Sequence, residues 1–311
     1  LASAISIIND QLNKLDLIRQ VKYNKILTWN IEGPFDTSYS LAILNRNYAL
    51  AMENLGQNVS LYSTDGLGDY SPNPEFLQEN KIVMDLYNRS KKRQESSFIC
   101  TRNLYPPRVK DVNGVINLLH AYGWEESEFP NEWVDEFNSY LQGISVMSEQ
   151  VKKILIDNGV NLPIIVTGLG LDHLNNVQST KDLEIKGKKF KILHISSCFP
   201  RKGIEVLIKA FANSFTSFDE VSLIIKTFNN PHNQIDSLLE KFRKSYVNFP
   251  DVILIKDDLN DSQIKSLYEQ SDLLVAPSRG EGFGLPIAEA MLLGIPVITT
   301  NWGGQVDFAN Q

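Results

Sequence analysis

The sequence alternates short apolar runs with longer stretches of helical periodicity, and this alternation is its strongest constraint on the fold. The first complete unit joins an apolar run at 25–30 to a helical stretch at 39–55 and a second apolar run at 58–62. Two strands connected through a helix lie parallel, with a right-handed crossover. Helices cover both faces of such a sheet, so its strands are expected to be mainly apolar, and apolar residues dominate the interior of both runs. The pattern therefore predicts an α/β protein.

The alternation falls into two series. In the first, further strands are predicted at 97–101, 115–120, 144–148 and 163–166, with a helix at 149–158. In the second, strands are predicted at 190–196, 221–227, 252–255, 273–277 and 296–300, with helices at 203–214, 234–247, 261–270 and 286–293. Gly168-Leu169-Gly170 and a charged stretch at 175–189 separate the two series. We therefore predict two Rossmann-like, doubly wound domains, residues 1–167 and 168–311, with ligands beyond the carboxyl ends of the strands.

The first twenty residues carry a different pattern. Ile5, Ile8, Leu12 and Leu15 recur at helical spacing, which predicts an amphipathic helix. Its apolar stripe is expected to pack on its own domain, with a partner helix or a membrane surface as alternatives.

Composition excludes several classes of protein. The chain has 30 basic and 37 acidic residues, a net charge of -7, so nucleic acid is not an expected partner. No apolar run reaches the roughly 18 residues that cross a bilayer, so no transmembrane segment is expected. Cys100 and Cys198 are too few for a disulfide framework, and no signal-peptide pattern follows Leu1; both features favour the cytoplasm. The four histidines lack metal-ligand spacing, so no metal site is expected.

A glycine-rich loop follows the strand predicted at 273–277. It places Gly280, Gly282 and Gly284 before a helix that Pro286 begins and Gly294 ends. Glycines permit close approach of another backbone or a ligand, and the free N–H groups of a helix start attract anions. The bland alternative is that these glycines only form turns.

Two carboxylates flank this loop. Glu281 lies on the loop itself, and Glu289 is expected near the end of the first helical turn, where a carboxylate can accept hydrogen bonds from a diol. Taken alone, each is equally consistent with a solvated charge. The compound pattern is more specific: two glutamates separated by seven residues around Gly-Phe-Gly-Leu-Pro, then Gly294-Ile295-Pro296-Val297-Ile298 and Gly303-Gly304.

This pattern resembles the donor-site signature of the retaining glycosyltransferases of family 4, among the glycosyl transferases of group 1. The resemblance implies the GT-B fold, in which two Rossmann-like domains face a cleft. It also implies transfer of a sugar from a nucleotide diphosphate sugar to an acceptor hydroxyl, with retention of the anomeric configuration. No cofactor and no metal are implied beyond the nucleotide sugar, for which UDP is favoured and GDP is the alternative.

The resemblance also implies roles for single residues. Glu281 would contact the transferred sugar, Glu289 the nucleotide ribose, and Lys202 the diphosphate. Arg201 would assist Lys202, because Ser197 stands where the family has an arginine. The backbone of Gly282, Phe283, Gly284 and Leu285 would bind the donor. An exposed charge is the alternative for both Lys202 and Arg201.

In the first domain, the resemblance places Gly33 in a loop that approaches the donor, and His120 at a strand end facing the transferred sugar. A structural histidine is the alternative there. Trp124, Glu125 and Glu126 are expected on the acceptor side. Arg102 and Arg108 would suit an anionic acceptor, with solvated loop charges as the alternative.

Two further expectations concern the whole protein. The acceptor is a glycan, a lipid-linked molecule or a protein, and contact with a membrane surface is compatible with a cytoplasmic enzyme. Family members continue beyond the Gly-Gly segment, so the C-terminal domain is expected to be incomplete at Gln311. The alternative functions are a catalytically idle GT-B-like subunit that binds a partner glycosyltransferase or an acceptor protein, and a related phosphorylase or epimerase.

Overall fold

The computed structural model describes residues 26–37, 39–92, 97–175, 177–230 and 232–310, so the helix predicted at 1–20 lies outside it. The described residues form two compact units. Unit 1 contains those up to Tyr122, together with Glu128–Val146 and Lys152–Thr167. Unit 2 contains Gly123–Ser127, Met147–Val151 and the described residues from Gly168 onward. Two short segments that the sequence assigned to the first domain therefore pack with the second.

Unit 1 is built on a twisted sheet with the strand order β3-β2-β1-β4-β5-β6-β7. All neighbouring strands are parallel except β3, which pairs antiparallel with β2. The strands are β1 Thr28–Gly33, β2 Asn58–Asp65, β3 Gly68–Asp69, β4 Ser97–Arg102, β5 Gly114–Tyr122, β6 Gly143–Val146 and β7 Ile164–Val166. The helices of this part of the chain are α1 Ser40–Asn54, α2 Pro74–Glu79, α3 Lys81–Lys92, α4 Asn131–Tyr140 and α5 Glu149–Asp157.

Unit 2 contains a fully parallel sheet with the order β10-β9-β8-β11-β12. Its strands are β8 Phe190–Ile195, β9 Val221–Lys226, β10 Asp251–Ile255, β11 Leu273–Ala276 and β12 Val297–Thr299. Its helices are α6 Asp172–Asn175, α7 Ile204–Ser214, α8 Ile235–Ser245, α9 Asp261–Glu269 and α10 Leu285–Leu292, with short 3₁₀ turns at Pro200–Lys202 and Gly304–Asp307.

The core of unit 2 explains why its strands are mainly apolar. Leu193 and Ile224 point into a cluster on one face of the sheet, which also contains Tyr268 of α9. Their sequence neighbours Ile192 and Leu223 point into a second cluster on the other face. Side chains alternate between the two faces of a strand, so a sheet covered on both faces favours apolar residues at consecutive positions.

The predicted strands and long helices agree with the structure to within a few residues, and the differences occur where local signals are weak. Helices α2, α3, α4 and α6 and the two-residue β3 were not predicted from the sequence. The first strand begins and ends later than predicted, so Gly33 closes β1 rather than lying in the loop after it. Strand β5 continues past His120 to Tyr122. Among the described helices, none is both long and apolar enough to cross a membrane.

Candidate functional site

In unit 2 the loops that follow β8 and β11 are held against each other. The two strands are parallel neighbours, so their carboxyl ends meet at one edge of the sheet. The N–H of Arg279 donates to the carbonyl of Arg201 over 2.7 Å. Gly203 has a left-handed φ of +68°, and a Cβ there would collide with the Pro277 carbonyl. Residues that are far apart in sequence therefore share one small region.

Lys202 lies between two carboxylates in this region. Its Nζ is 2.8 Å from Oε2 of Glu281 and 2.9 Å from Oε1 of Glu125. The other oxygen of Glu281 accepts a hydrogen bond from Ser278 Oγ at 2.7 Å. The side chains of Lys202 and Glu281 are only 11% and 12% exposed. A charge at this depth is stable only when it is paired, so neither residue is a solvated surface charge.

Arg201 completes the cluster, because its Nε pairs with the second oxygen of Glu125. Its guanidinium also lies over the ring of Phe199, 4.9 Å from the centroid. Burial alone would raise the pKa of the Glu125 carboxyl, but the charges of Lys202 and Arg201 outweigh it and hold that pKa below its ordinary value. Glu125, which the sequence analysis expected on the acceptor side, thus carries a negative charge in this cluster and contacts Lys202 and Arg201.

The glycines of the loop accommodate protein backbone. A Cβ on Gly280 would lie 2.5 Å from the carbonyl oxygen of Glu125, and a Cβ on Gly282 would lie 3.4 Å from the N of Trp124. The sequence predicted that these glycines permit close approach of another backbone or a ligand. In the structure the segment Gly123–Ser127 packs on both of them, and a side chain at Gly280 would collide with it.

Gly282 is also fixed from the other side. Its carbonyl accepts a hydrogen bond from Ser148 Oγ at 2.6 Å, and a Cβ on Gly304 would collide with the same carbonyl. The N–H of Gly304 donates to the carbonyl of Glu281 at 2.8 Å. The Gly303-Gly304 pair therefore supports the loop that carries Glu281.

Helix α10 begins directly after this loop. Gly284 is its N-cap in a left-handed conformation, with φ +89°, and Pro286 is the second helical residue. The ring of Phe283 is buried and packs on Phe308 at a centroid distance of 4.8 Å, so only the backbone of Phe283 is free to bind a ligand. Leu285 starts the helix, where N–H groups lack partners within the helix and attract anions.

Glu289, the fifth residue of α10, is oriented by two residues that the sequence analysis missed. Its Oε1 lies 2.7 Å from Nε2 of His173, and its Oε2 accepts a hydrogen bond from the hydroxyl of Tyr268 at 2.7 Å. The Glu289 side chain is 8% exposed. Burial and the negative charge of Glu289 raise the pKa of Tyr268 well above its ordinary value, so the phenol stays a donor. No sequence pattern links these three residues.

The loop between β8 and the Pro200–Lys202 turn contains a strained residue. Cys198 has φ +56°, which side-chain-bearing residues rarely adopt, and its N–H donates to Ser196 Oγ at 3.0 Å. Such conformations cost about 1–3 kcal/mol and persist where the surrounding structure imposes them, often at functional sites. Together with the left-handed Gly203, the strain at Cys198 indicates that the surrounding structure imposes the backbone conformation on both sides of Lys202.

His120 lies in the interior of unit 1, not at an open strand end as predicted. Its Nδ1 is 3.0 Å from Thr101 Oγ1, its Nε2 is 2.8 Å from Asn45 Oδ1, and its ring stacks on Tyr48 at 4.5 Å. Asn45 uses its Nδ2 to donate to the carbonyls of Pro34 and Asn103, so its Oδ1 must accept from Nε2–H of His120. Burial lowers the pKa of His120 to about 3. The imidazole is neutral and has no free nitrogen, which favours the structural alternative.

Gly33 belongs to the same network. A Cβ at this position would collide with the Asn45 side-chain amide and the Asn103 carbonyl. Glycine is therefore needed at the end of β1 because it leaves room for the Asn45 side chain, which binds His120. The family resemblance implied a different reason for this glycine, the approach of its loop to the donor.

The two arginines considered for an anionic acceptor are paired with carboxylates. Arg102 is buried, and it donates to Glu32 Oε2 at 2.7 Å and to Asp111 Oδ1 at 2.6 Å. Arg108 donates to Thr64 Oγ1 at 2.7 Å and pairs with Asp111 at 3.2 Å. Both cations therefore have partners within unit 1, at the carboxyl end of the central strand β4 and in the loop after it. Within the described ranges, no three His, Cys, Asp or Glu side chains converge in a way that would hold a metal ion.

Solved structures with the same architecture identify the fold. Sucrose-phosphate synthase from Thermosynechococcus elongatus superposes with a TM-score of 0.63 at 17% identity, over 89% of this chain and 82% of that one. Anabaena HepE, solved in complex with UDP-glucose, superposes with a TM-score of 0.59 at 16% identity, over 92% of this chain and 83% of that one. The chain has the GT-B fold. This confirms the predicted fold class, two Rossmann-like units built on parallel sheets.

Sequence comparison connects the second unit to a family. The family described as glycosyl transferases group 1 matches residues 176–311, the part of the chain that carries Lys202, Glu281 and Glu289. The capsular polysaccharide biosynthesis glycosyltransferase CapM of Staphylococcus aureus is 31% identical over 175 residues, which is 53% of this chain. The aligned region spans 44% of the length of CapM.

Proposed function

We propose that the protein is a glycosyltransferase that moves a hexose from a nucleotide diphosphate sugar to an acceptor hydroxyl. The observation that carries this proposal is the contact of Lys202 with Glu281 at the carboxyl ends of the parallel strands β8 and β11. Ligands of doubly wound sheets bind at such strand ends. The group 1 family match and the resemblance to CapM support the same class of reaction.

Each residue of the cluster suits a different part of the donor. The ammonium of Lys202, assisted by the guanidinium of Arg201, would neutralise the diphosphate as it leaves. The backbone of Gly284 and Leu285 at the start of α10 would add uncompensated N–H groups. Glu281 would accept hydrogen bonds from the hydroxyls of the transferred sugar. The backbone of Gly282 and Phe283 would also bind the donor.

Glu289 would bind the nucleotide ribose. A carboxylate held by His173 and Tyr268 still has lone pairs for the two hydroxyls of a diol, and its orientation is set before the ligand arrives. Pre-organisation of this kind lowers the entropy lost on binding. Ribose binding would thus explain why a carboxylate occupies this buried position.

The finer features of the reaction are part of the proposal and rest on the family resemblance. They are retention of the anomeric configuration, a preference for UDP over GDP, and independence of metal ions. A glycan, a lipid-linked molecule or a protein would accept the sugar. His120 enters only as a positioning residue that fixes Asn45 and the backbone after β1 within unit 1.

The proposal is tested by nucleotide release from a panel of UDP- and GDP-sugars with the full chain. Lys202→Ala and Glu289→Ala are expected to lose most of the release. Lys209→Ala and Glu269→Ala, which change exposed residues on α7 and α9, should behave as the parent. If the parent neither binds nor cleaves any nucleotide sugar, the enzyme proposal is wrong and the idle-subunit alternative gains. If the two site variants match the parent, the assignment of residues is wrong.

A further inference from the structure

Glu125 is the residue of the cluster to which the proposed function assigns no part of the donor. It lies on the segment Gly123–Ser127, which packs with unit 2. One of its carboxylate oxygens contacts Lys202 Nζ at 2.9 Å and the other pairs with Arg201 Nε. Both oxygens therefore contact the two cations that the proposed function assigns to the diphosphate.

A carboxylate and a phosphate offer these cations the same chemistry. Each presents oxygens that share negative charge, and ammonium and guanidinium groups bind both through charge-assisted hydrogen bonds. An ammonium has three N–H donors, and contacts to Glu281 and Glu125 use two of those on Lys202. A diphosphate that binds the same atoms must compete with the Glu125 carboxylate.

We propose that Glu125 is an internal anion that occupies the diphosphate position on Lys202 and Arg201, and that the nucleotide donor binds by displacing it. This inference rests on the proposed function, because it takes Lys202 as a diphosphate ligand. Glu281 is not displaced in the same way, since its second oxygen is held by Ser278. Its side chain is also less exposed than that of Glu125, 12% against 25%.

The packing of the segment indicates what moves. The carbonyl of Glu125 lies directly over Gly280, and the backbone at Gly123 and Trp124 lies over Gly282. Close packing of this kind fixes the backbone, so the displacement is a rotation of the Glu125 side chain alone. The ammonium of Lys202 keeps its contact with Glu281 throughout, so it is never left as an unpaired buried charge.

Displacement has a consequence for specificity. A ligand gains affinity at this position only if its negative charge exceeds what Glu125 already supplies. A nucleoside diphosphate meets this condition, whereas a nucleoside without phosphate makes no contact with the two cations. Glu125 therefore selects for the diphosphate part of the donor.

The experiment is a calorimetric titration of the full chain with UDP, GDP and uridine. Glu125→Gln keeps the size of the side chain and removes its charge. We expect it to lower the Kd for the nucleoside diphosphate by about 10-fold, the effect of removing one competing charge-assisted interaction of about 1.4 kcal/mol. Its Kd for uridine should be unchanged. Glu126→Gln, the same change on the exposed neighbouring residue, should leave every Kd unchanged.

The possible results separate the inference from the proposed function. If the parent binds a nucleoside diphosphate and Glu125→Gln binds it equally or more weakly, Glu125 only positions the two cations and the inference is overturned, while the proposed function stands. If neither protein binds, both are overturned. Binding by the variant but not by the parent supports both. Glu125→Ala should shift the Kd in the same direction, and loss of folding in both variants would make Glu125 structural and overturn the inference.

Discussion

Replacing Tyr268 by phenylalanine tests whether Glu289 is oriented by a buried hydrogen bond. Tyr268 is fully buried, and its hydroxyl donates to Glu289 Oε2 at 2.7 Å. The change removes only the hydroxyl and keeps the ring that packs in the core of unit 2. One oxygen of a buried carboxylate then loses its donor, while His173 still holds the other.

The expected magnitude follows from burial and charge. A hydrogen bond to a charged group contributes about 1.5–3 kcal/mol, and the penalty is largest when the partner left behind is desolvated. Because Glu289 is 8% exposed, water cannot replace the hydroxyl. We expect the free energy of unfolding to fall by about 2 kcal/mol. We also expect the Kd for UDP to rise, because the carboxylate proposed to bind the ribose becomes less well oriented.

The assay is urea unfolding followed by circular dichroism, together with calorimetric titration of UDP. Tyr246→Phe is the matched control, because its hydroxyl donates at 2.7 Å to Asn213, an uncharged and exposed partner that water can replace. The control should lose less than about 0.5 kcal/mol, as is usual for surface substitutions. If Tyr268→Phe costs no more than Tyr246→Phe, the claim that a desolvated hydrogen bond orients Glu289 is refuted.

Three further outcomes are expected from unfolding measurements, and one from activity. Gly304→Ala should lower the free energy of unfolding by about 1–3 kcal/mol, because the added methyl group meets a backbone carbonyl. Gly143→Ala should lower it less, because the nearest atom to its added methyl group is 3.4 Å away. Equal losses in the two variants would contradict the packing argument. His120 has a folded-state pKa of about 3 against an ordinary 6.5. Its contribution to the free energy of unfolding is therefore complete above pH 6.5 and is lost as the pH falls toward 3. In the parent, the free energy of unfolding should fall between pH 7 and pH 5, and His120→Gln should reduce the slope of that fall by at most about 1.4 kcal/mol per pH unit. An unchanged slope would exclude a buried neutral imidazole. Arg102→Met should lower the free energy of unfolding by about 3–5 kcal/mol, because it leaves a buried carboxylate unpaired. Arg89→Met breaks an exposed ion pair and should lower it by less than about 1 kcal/mol. If nucleotide release is metal-independent, as proposed, it persists in EDTA; full inhibition that added Mg²⁺ reverses would contradict the proposal.

The sequence predicted much of the fold because burial leaves a local record. Strands β8, β9 and β11 have consecutive apolar residues, since each strand is covered on both faces, and the stretches between the strands are long enough for the helices that connect them. The missed helix α3 shows the limit of this record, because only Val83 and Leu86 among its residues are buried. Two buried positions are too few to establish a period against a polar background.

The candidate site was predictable where residues are close in the chain. Glu281 and Glu289 are joined by one loop and one helical turn, so their spacing carries information about geometry. Gly284 and Gly294 were identified from the same local logic, and both adopt left-handed conformations at the ends of α10. The sequence also placed Lys202 and Glu281 after two predicted strands of the second domain, and the structure shows that these strands are neighbours.

Tertiary structure alone decided which partners these residues have. Glu125 reaches Lys202 across 77 positions, and His173 reaches Glu289 across 116. It also decided that His120 is buried and fully hydrogen-bonded instead of facing a ligand. Periodicity reports how deeply a residue is buried relative to its neighbours in the chain. Ion pairs and hydrogen bonds depend on which distant segments fold against each other, and no local pattern records that.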